Sequence, residues 1–221
     1  MKAKNTLFWS DTIHMNEKEQ WLKWAIELQS LSQSALYWCK DPYDIERFQR
    51  IREISAEMMA AKTGLDLENV KNLFCNETGY QTPKIDTRAA IIQNEKILLV
   101  QEKNGKWAMP GGWCDIDQSP ADNTVKEAKE EAGMAVRVTR LVSVEDQDIH
   151  NFPPNAYKII KLMFLCEPLG GEFSPNTETV ASGWFSENGL PEPMANEKCT
   201  AEQVRLCFQA ARAEHWETKF D

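Results

Sequence analysis

The sequence predicts an α+β protein, with a small three-helix domain over residues 1–80 and a mixed domain of strands and helices over residues 81–221. Three observations carry that reading. Apolar residues recur at three- and four-residue steps as far as Phe74. A turn-rich segment, NETGYQTPKID, follows, and beyond it come short runs rich in Val, Ile, Leu and Phe. Two helix-forming stretches interrupt and close that second part, so strands and helices share one domain.

Over residues 18–38, Trp21, Trp24, Ala25, Leu28, Leu31, Ala35 and Trp38 mark one face of an amphipathic helix. KDPYDIERF restarts the chain. Asp41 suits a cap, Pro42 the first helical position, and Asp44 the positive end of the helix dipole. Ile45, Phe48, Ile51, Ile54 and Met58 form the apolar side of this second helix, and Gly64 should end it. Asp66 caps a short third helix bearing Val70, Leu73 and Phe74. The aromatic stripe reads as core packing, with surplus apolar surface available for a dimer contact. A DNA-reading helix-turn-helix is disfavoured, because residues 1–80 hold ten Lys and Arg against twelve Asp and Glu and no basic helix.

In the second part, TRAAIIQ and KILLVQE flank Asn94–Glu95 as a β-hairpin, and KNGK turns the chain before WAMPGGW. AVRVTRLVSVED, YKIIKLMFLCE and ASGWFSE are strand-like, with PLGGEFSPN a loop between the last two. TAEQVRLCFQAARAEHW is a closing helix, with Thr200 and Gln203 placed for a capping box and Val204, Cys207, Ala211 and His215 along one side.

Composition narrows the function. With 42% hydrophobic and 27% charged residues, the chain reads as soluble and globular. No apolar run approaches the ~20 residues of a membrane span. The amino terminus lacks the apolar core of a secretory signal, and Asp11, Glu17 and Glu19 do not suit a mitochondrial presequence, so a cytoplasmic protein is expected. Six cysteines without a C-x-x-C pair fit free thiols in a reducing compartment, and three dispersed histidines do not suggest zinc. A net charge of −9 argues against general nucleic-acid binding, yet it leaves room for a phosphorylated substrate recruited through cations.

The stretch GGWCDIDQSPADNTVKEAKEEAGMA poses the sharpest question. Ser119–Pro120 starts a helix and Gly133 stops it, while Ala121, Val125, Ala128 and Ala132 offer a narrow face for close packing. Glu127, Glu130 and Glu131 gather roughly 135° around the helix from that face, at about 100° per residue. Like charges at this spacing repel. A hard divalent cation such as Mg²⁺ or Mn²⁺ would turn the repulsion into shared coordination, whereas a solvated acidic face partnered by Lys126 and Lys129 would only soften it.

Gly112, Lys126, Glu127, Ala128, Glu130, Glu131, Gly133 and Met134 resemble the Nudix box, G-x5-E-x7-R-E-U-x-E-E-x-G-U, where U is aliphatic. Gln118 stands where its first Glu usually lies, and Lys126 where its Arg lies. DPYDIERFQRIREI, GYQTPKIDTRAAI, PGGWCDI, YKIIKLMFLCE and GLPEP extend the likeness to a Nudix subfamily with an amino-terminal helical domain. The resemblance implies a mixed-sheet α/β/α sandwich behind the helical domain. It also implies divalent-metal-dependent hydrolysis of nucleoside diphosphates linked to another moiety, typified by CDP-choline and ADP-ribose, and it suggests a homodimer. RNA processing is a secondary alternative. A non-catalytic nucleotide sensor would be expected to lose the metal glutamates, and all three are present.

On that basis Glu127 and Glu131 are the first metal ligands and the Gly112 carbonyl could join them. Glu130 is either a third ligand or a residue that positions water. Glu178, in SPNTETVASGWF, is the candidate general base, against the alternative of an ordinary exposed glutamate. Arg88 and Lys158 could contact phosphate or ribose oxygens, or be paired structurally with acids. His150 could touch substrate from a polar loop, and Trp113 could stack a base, although exposure and packing respectively are the simpler readings. Cys114 has no neighbour in sequence that would make it a nucleophile.

Overall fold

Local capping chemistry marks where the helices after the first one begin in the computed structural model, which describes residues 19–153 and 155–221. The expected helix start at residue 18, with Asp11, His14 and Glu17, lies outside the described residues. The first helix, α1, spans Gln20–Trp38. Asp41 opens α2 (Pro42–Thr63) by accepting from the amides of Tyr43 and Asp44, and Gly64 closes it in a left-handed conformation. Asp66 caps α3 (Leu67–Phe74) in the same way, accepting from Glu68 and Asn69.

The interior of this helical part differs from expectation. Trp24, Leu31 and Trp38 are 53%, 61% and 71% exposed, and Ile54 and Leu73 also face outward. The small residues Ala25, Ser32, Ser55 and Ala56 are buried instead. Small side chains let α1 and α2 approach closely, which leaves the bulky ones outside. Gln29 and Gln33 are buried too, and they donate to the carbonyls of Phe74 and Gly79 at 2.9 Å each. Arg52 donates to the Cys75 carbonyl at 2.8 Å, so side chains from α1 and α2 tie down the segment that follows α3.

The strands then follow in order: β1 (Lys84–Gln93), β2 (Lys96–Glu102), β3 (Trp107–Ala108) and β4 (Gly111–Trp113). Asn94 and Glu95, both at positive φ, make the β1–β2 turn. After α4 (Pro120–Ala132) come β5 (Met134–Asp146), a short α5 (Gln147–His150), β6 (Ile159–Gly171), β7 (Thr179–Ser186), α6 (Ala201–Arg212) and β8 (Lys219–Phe220). The sheet runs β3-β2-β1-β6-β5-β8, with β4 paired to β1 and β7 to β2. It is mixed, since β1 and β6 are parallel and β5 and β6 antiparallel.

Period-two alternation builds the sandwich. Ala89 and Ile91 of β1, with Leu98 and Val100 of β2, pack beside Ala128 and Ala132 of α4. The intervening Ala90, Ile97 and Leu99 pack beside Val204, Cys207 and Phe208 of α6 on the other face. Both faces are covered, which is why β1 and β2 read as continuous apolar runs.

Two boundaries differ from the sequence reading. Strand β6 continues through Pro168–Gly171, where a loop is expected, because β5 pairs with it as far as Met134↔Gly171. Helix α6 stops at Arg212, so His215 is exposed beyond it and not on its side. Arg140 Nη1 donates to the Ala213 carbonyl at 2.9 Å just past that end. No described helix is long and apolar enough to cross a membrane.

Candidate active site

Helix α4 stands on the sheet with one edge over a cleft of about 300 Å³. Ser119 caps it by accepting from the Asp122 amide, Pro120 begins it, and Gly133 ends it at φ 69°. Asn123, fully buried, donates to Thr87 Oγ1 at 2.8 Å and fixes the helix on β1. That docking splits the three glutamates. Glu127 and Glu131 line the cleft, whereas Glu130 is exposed and lies outside its lining. Lys126 stands among the acids, 2.7 Å from Asp115, 3.4 Å from Glu127 and 3.6 Å from Glu130.

Strand β4, ahead of α4, completes this wall. The Gly111 amide donates to Glu131 Oε2 at 2.9 Å. Gly111 sits at φ 146° with its Cα against the Thr87 carbonyl, where a side chain would collide with backbone. At Gly112 a Cβ would meet Glu127 Oε2 at 3.2 Å, so this main chain lies directly beside the carboxylate. Burial pushes the Glu131 carboxyl up to about 7, against the opposing pull of the Gly111 amide and Arg88. Burial likewise raises Glu127, against Lys126.

Beside the end of α4, Asn176 places the loop before β7. Its Oδ1 accepts from the amides of Glu178 and Thr179 at 2.9 Å each, and its Nδ2 donates to the Glu130 carbonyl at 3.0 Å. The loop is thus pinned to the end of α4, and Glu178 joins Glu127 and Glu131 in lining the cleft.

The floor comes from β1 and β6. Arg88 is buried and grips Asp86 with Nε at 2.8 Å and Nη2 at 2.6 Å. Lys161, the strand partner of Asp86, reaches its Oδ1 at 3.3 Å. Burial alone would raise the Asp86 carboxyl, but Arg88 and Lys161 hold it below its ordinary value. Burial draws the Lys161 ammonium down to about 8, against the attraction of Asp86. Sequence reasoning missed Lys161 and Asp86. Their signal was the one that marked Arg88, a charge inside an apolar strand.

The remaining candidates fall elsewhere. Lys158 pairs with Asp146 and Asp148 outside the cleft lining. His150 ends α5, where its Nε2 meets Asp221 Oδ1 at 2.7 Å, so it is not in an open polar loop. Trp113 is 52% exposed at the cleft and meets Tyr157 edge-on, with ring centroids 5.9 Å apart. Burial and Asp115 raise the Cys114 thiol, which does not favour a nucleophile.

The donor set suits a hard cation. Glu127, Glu131 and Glu178 offer carboxylate oxygens, and the Gly111–Gly112 main chain lies beside them. Among the described residues no three His, Cys, Asp or Glu side chains already converge closely enough to hold an ion. Of the three α4 glutamates, Glu127 and Glu131 share the cleft lining, whereas Glu130 is exposed and 3.6 Å from Lys126.

Comparison with known proteins gives two domain matches. Residues 19–74 match a UDP-X-like, N-terminal oligomerisation domain, and residues 63–205 match the NUDIX domain. The chain is 38% identical over 203 residues to YjhB of Bacillus subtilis (strain 168), provisionally named an ADP-ribose pyrophosphatase, covering 91% of this chain and 97% of that protein. A crystal structure described as an ADP-ribose pyrophosphatase from Streptococcus suis is 57% identical with a TM-score of 0.60, covering 63% of this chain and all (100%) of that one. A UDP-X diphosphatase structure is 31% identical with a TM-score of 0.59, covering 90% of this chain and 97% of that one.

Proposed function

The chain belongs to the Nudix hydrolase family, and on that premise we propose that it cleaves the pyrophosphate bond of a nucleoside diphosphate joined to a second group. ADP-ribose, a UDP-linked conjugate or CDP-choline defines the substrate class, and a nucleoside monophosphate is released. The supporting observation is the Gly111–Glu131 hydrogen bond, which fixes the Glu131 carboxylate against the glycines of β4, with Glu127 and Glu178 on the same cleft.

Nudix hydrolases use divalent metal ions. Mg²⁺ or Mn²⁺ at this wall would neutralise phosphate oxygens and acidify a water. Glu127 and Glu131 would hold the ion with their carboxylates, and Gly112 with its carbonyl. Glu130 is exposed beside Lys126 and outside the cleft lining, so we assign it to the edge of the site. Glu178 takes the proton of the attacking water, a role that its place in the cleft lining supports. Arg88 serves the floor through Asp86, and we propose no substrate role for Lys158.

We further propose that residues 1–80 act as a dimerisation domain ahead of the hydrolase domain at 81–221. The exposed Trp24, Leu31 and Trp38 support this, since a seven-residue spacing puts them on one helix face. Six free cysteines support a cytoplasmic setting.

The experiment is a panel of ADP-ribose, CDP-choline, a UDP-sugar, nucleoside triphosphates and a short RNA, each incubated with Mg²⁺ or Mn²⁺. Monophosphate release from one or more of the first three is expected. Turnover of only triphosphates or RNA, or tight binding without turnover, would overturn the reading.

A further inference from the structure

The cleft floor holds more positive than negative charge. Asp86, Arg88 and Lys161 are 3%, 3% and 1% exposed, and within ion-pair distance the single Asp86 carboxylate faces both cations. The other strand partner of Lys161 is Glu145, which lies outside the cleft lining, and among the described residues Lys161 makes its ion pair with Asp86 and not with Glu145. A buried charge without a full counter-charge is costly, so a group that supplies one will be favoured there.

The two cations are not equally free. Arg88 spends Nε and Nη2 on Asp86 and Nη1 on the Met109 carbonyl at 3.3 Å. Lys161 has three N–H donors, and among the described residues it makes one hydrogen bond, the 3.3 Å contact with Asp86. Its side chain nevertheless lines the same cleft as Glu127 and Glu131. Once those glutamates are engaged by a cation, they no longer serve as counter-charge to the floor.

We propose that Lys161 is a substrate-binding residue, whose ammonium donates to a non-bridging oxygen of the bound diphosphate. Asp86 is a positioning residue that holds the ammonium at the floor, and Arg88 in turn fixes Asp86. The assignment rests on the diphosphate reading of the cleft, and it divides the work of charge neutralisation. The carboxylate wall engages the diphosphate through a cation, and the floor engages it directly.

Lys161→Met tests this, because Asp86 keeps its two-pronged partner and the chain should fold. The probe is inorganic pyrophosphate with Mg²⁺, titrated by calorimetry, beside KM for ADP-ribose and a thermal melt. The expected result is pyrophosphate binding weakened at least tenfold and KM raised in parallel, with a near-native melt. Should Lys161→Met not fold, Lys161→Gln is measured by the same criterion. A folded variant that binds pyrophosphate as tightly as the wild type overturns the assignment and leaves the diphosphate reading intact. A wild type that neither binds pyrophosphate nor hydrolyses any nucleoside diphosphate conjugate overturns both.

Discussion

The amide of Gly111 donates to the carboxylate of Glu131 at 2.9 Å, joining the start of β4 to the cleft edge of α4. This bond orients the most buried carboxylate of the wall. It depends on β4 lying close against Thr87 of β1, where only a glycine fits. Gly111→Ala should therefore cost at least about 2 kcal/mol of stability and lose hydrolysis with it. Gly112→Ala should spare the fold, since its Cβ would press only on the movable Glu127 carboxylate. Thermal unfolding and turnover of both variants check the pair, and a native melt for Gly111→Ala would contradict it.

The second prediction concerns pH. Burial raises Glu131 from 4.5 to about 7, so without metal the folded chain binds this proton more tightly than the unfolded chain. The contribution is full below about pH 4.5 and is lost as pH rises through about 7, a change of about 3 kcal/mol. Wild type should thus lose stability relative to Glu131→Gln across that window. Mg²⁺ at neutral pH should restore wild type more than the variant. A stability difference that stays flat with pH would contradict this origin.

Asp86 offers a contrast between buried and exposed charge. Asp86→Asn leaves Arg88 and Lys161 buried together without their carboxylate, and should cost about 3–5 kcal/mol in urea unfolding. Lys126→Ala removes ion pairs from a side chain that is 34% exposed, and should cost less than about 1 kcal/mol. Similar losses for the two would refute the distinction.

The outward stripe of α1 predicts its own use. Leu31→Glu with Trp38→Glu puts charge into a face that is 61% and 71% exposed at those positions. Wild type should run as a dimer in light scattering, and the double variant as a folded monomer. A monomeric wild type or a dimeric variant would contradict the dimer.

Helix ends were legible because caps are local. Asp41, Asp66, Ser119 with Gly133, and Thr200 with Gln203 act within a few residues. The hairpin at Asn94–Glu95 was legible for the same reason. The inside of the helical domain was not, because apolar spacing marks a face without saying which chain covers it. In α1 the bulky face is outside and Gln29 and Gln33 are inside. That Glu127 and Glu131 share one edge of α4 was legible, since they lie one turn apart. The placement of Glu178 follows from Asn176, a contact that no spacing rule reveals. The Asp86–Lys161 pair needs the parallel register of β1 with β6, a relationship between strands far apart in sequence.

The most direct measurement is steady-state hydrolysis of ADP-ribose with Mg²⁺ by wild type, Glu127→Gln and Glu131→Gln, each confirmed folded. A fall in kcat/KM of at least about 10²-fold for each substitution is expected, the scale on which loss of charge stabilisation at a reacting phosphate is felt. Wild-type kcat/KM in both variants at low Mg²⁺ would contradict the account.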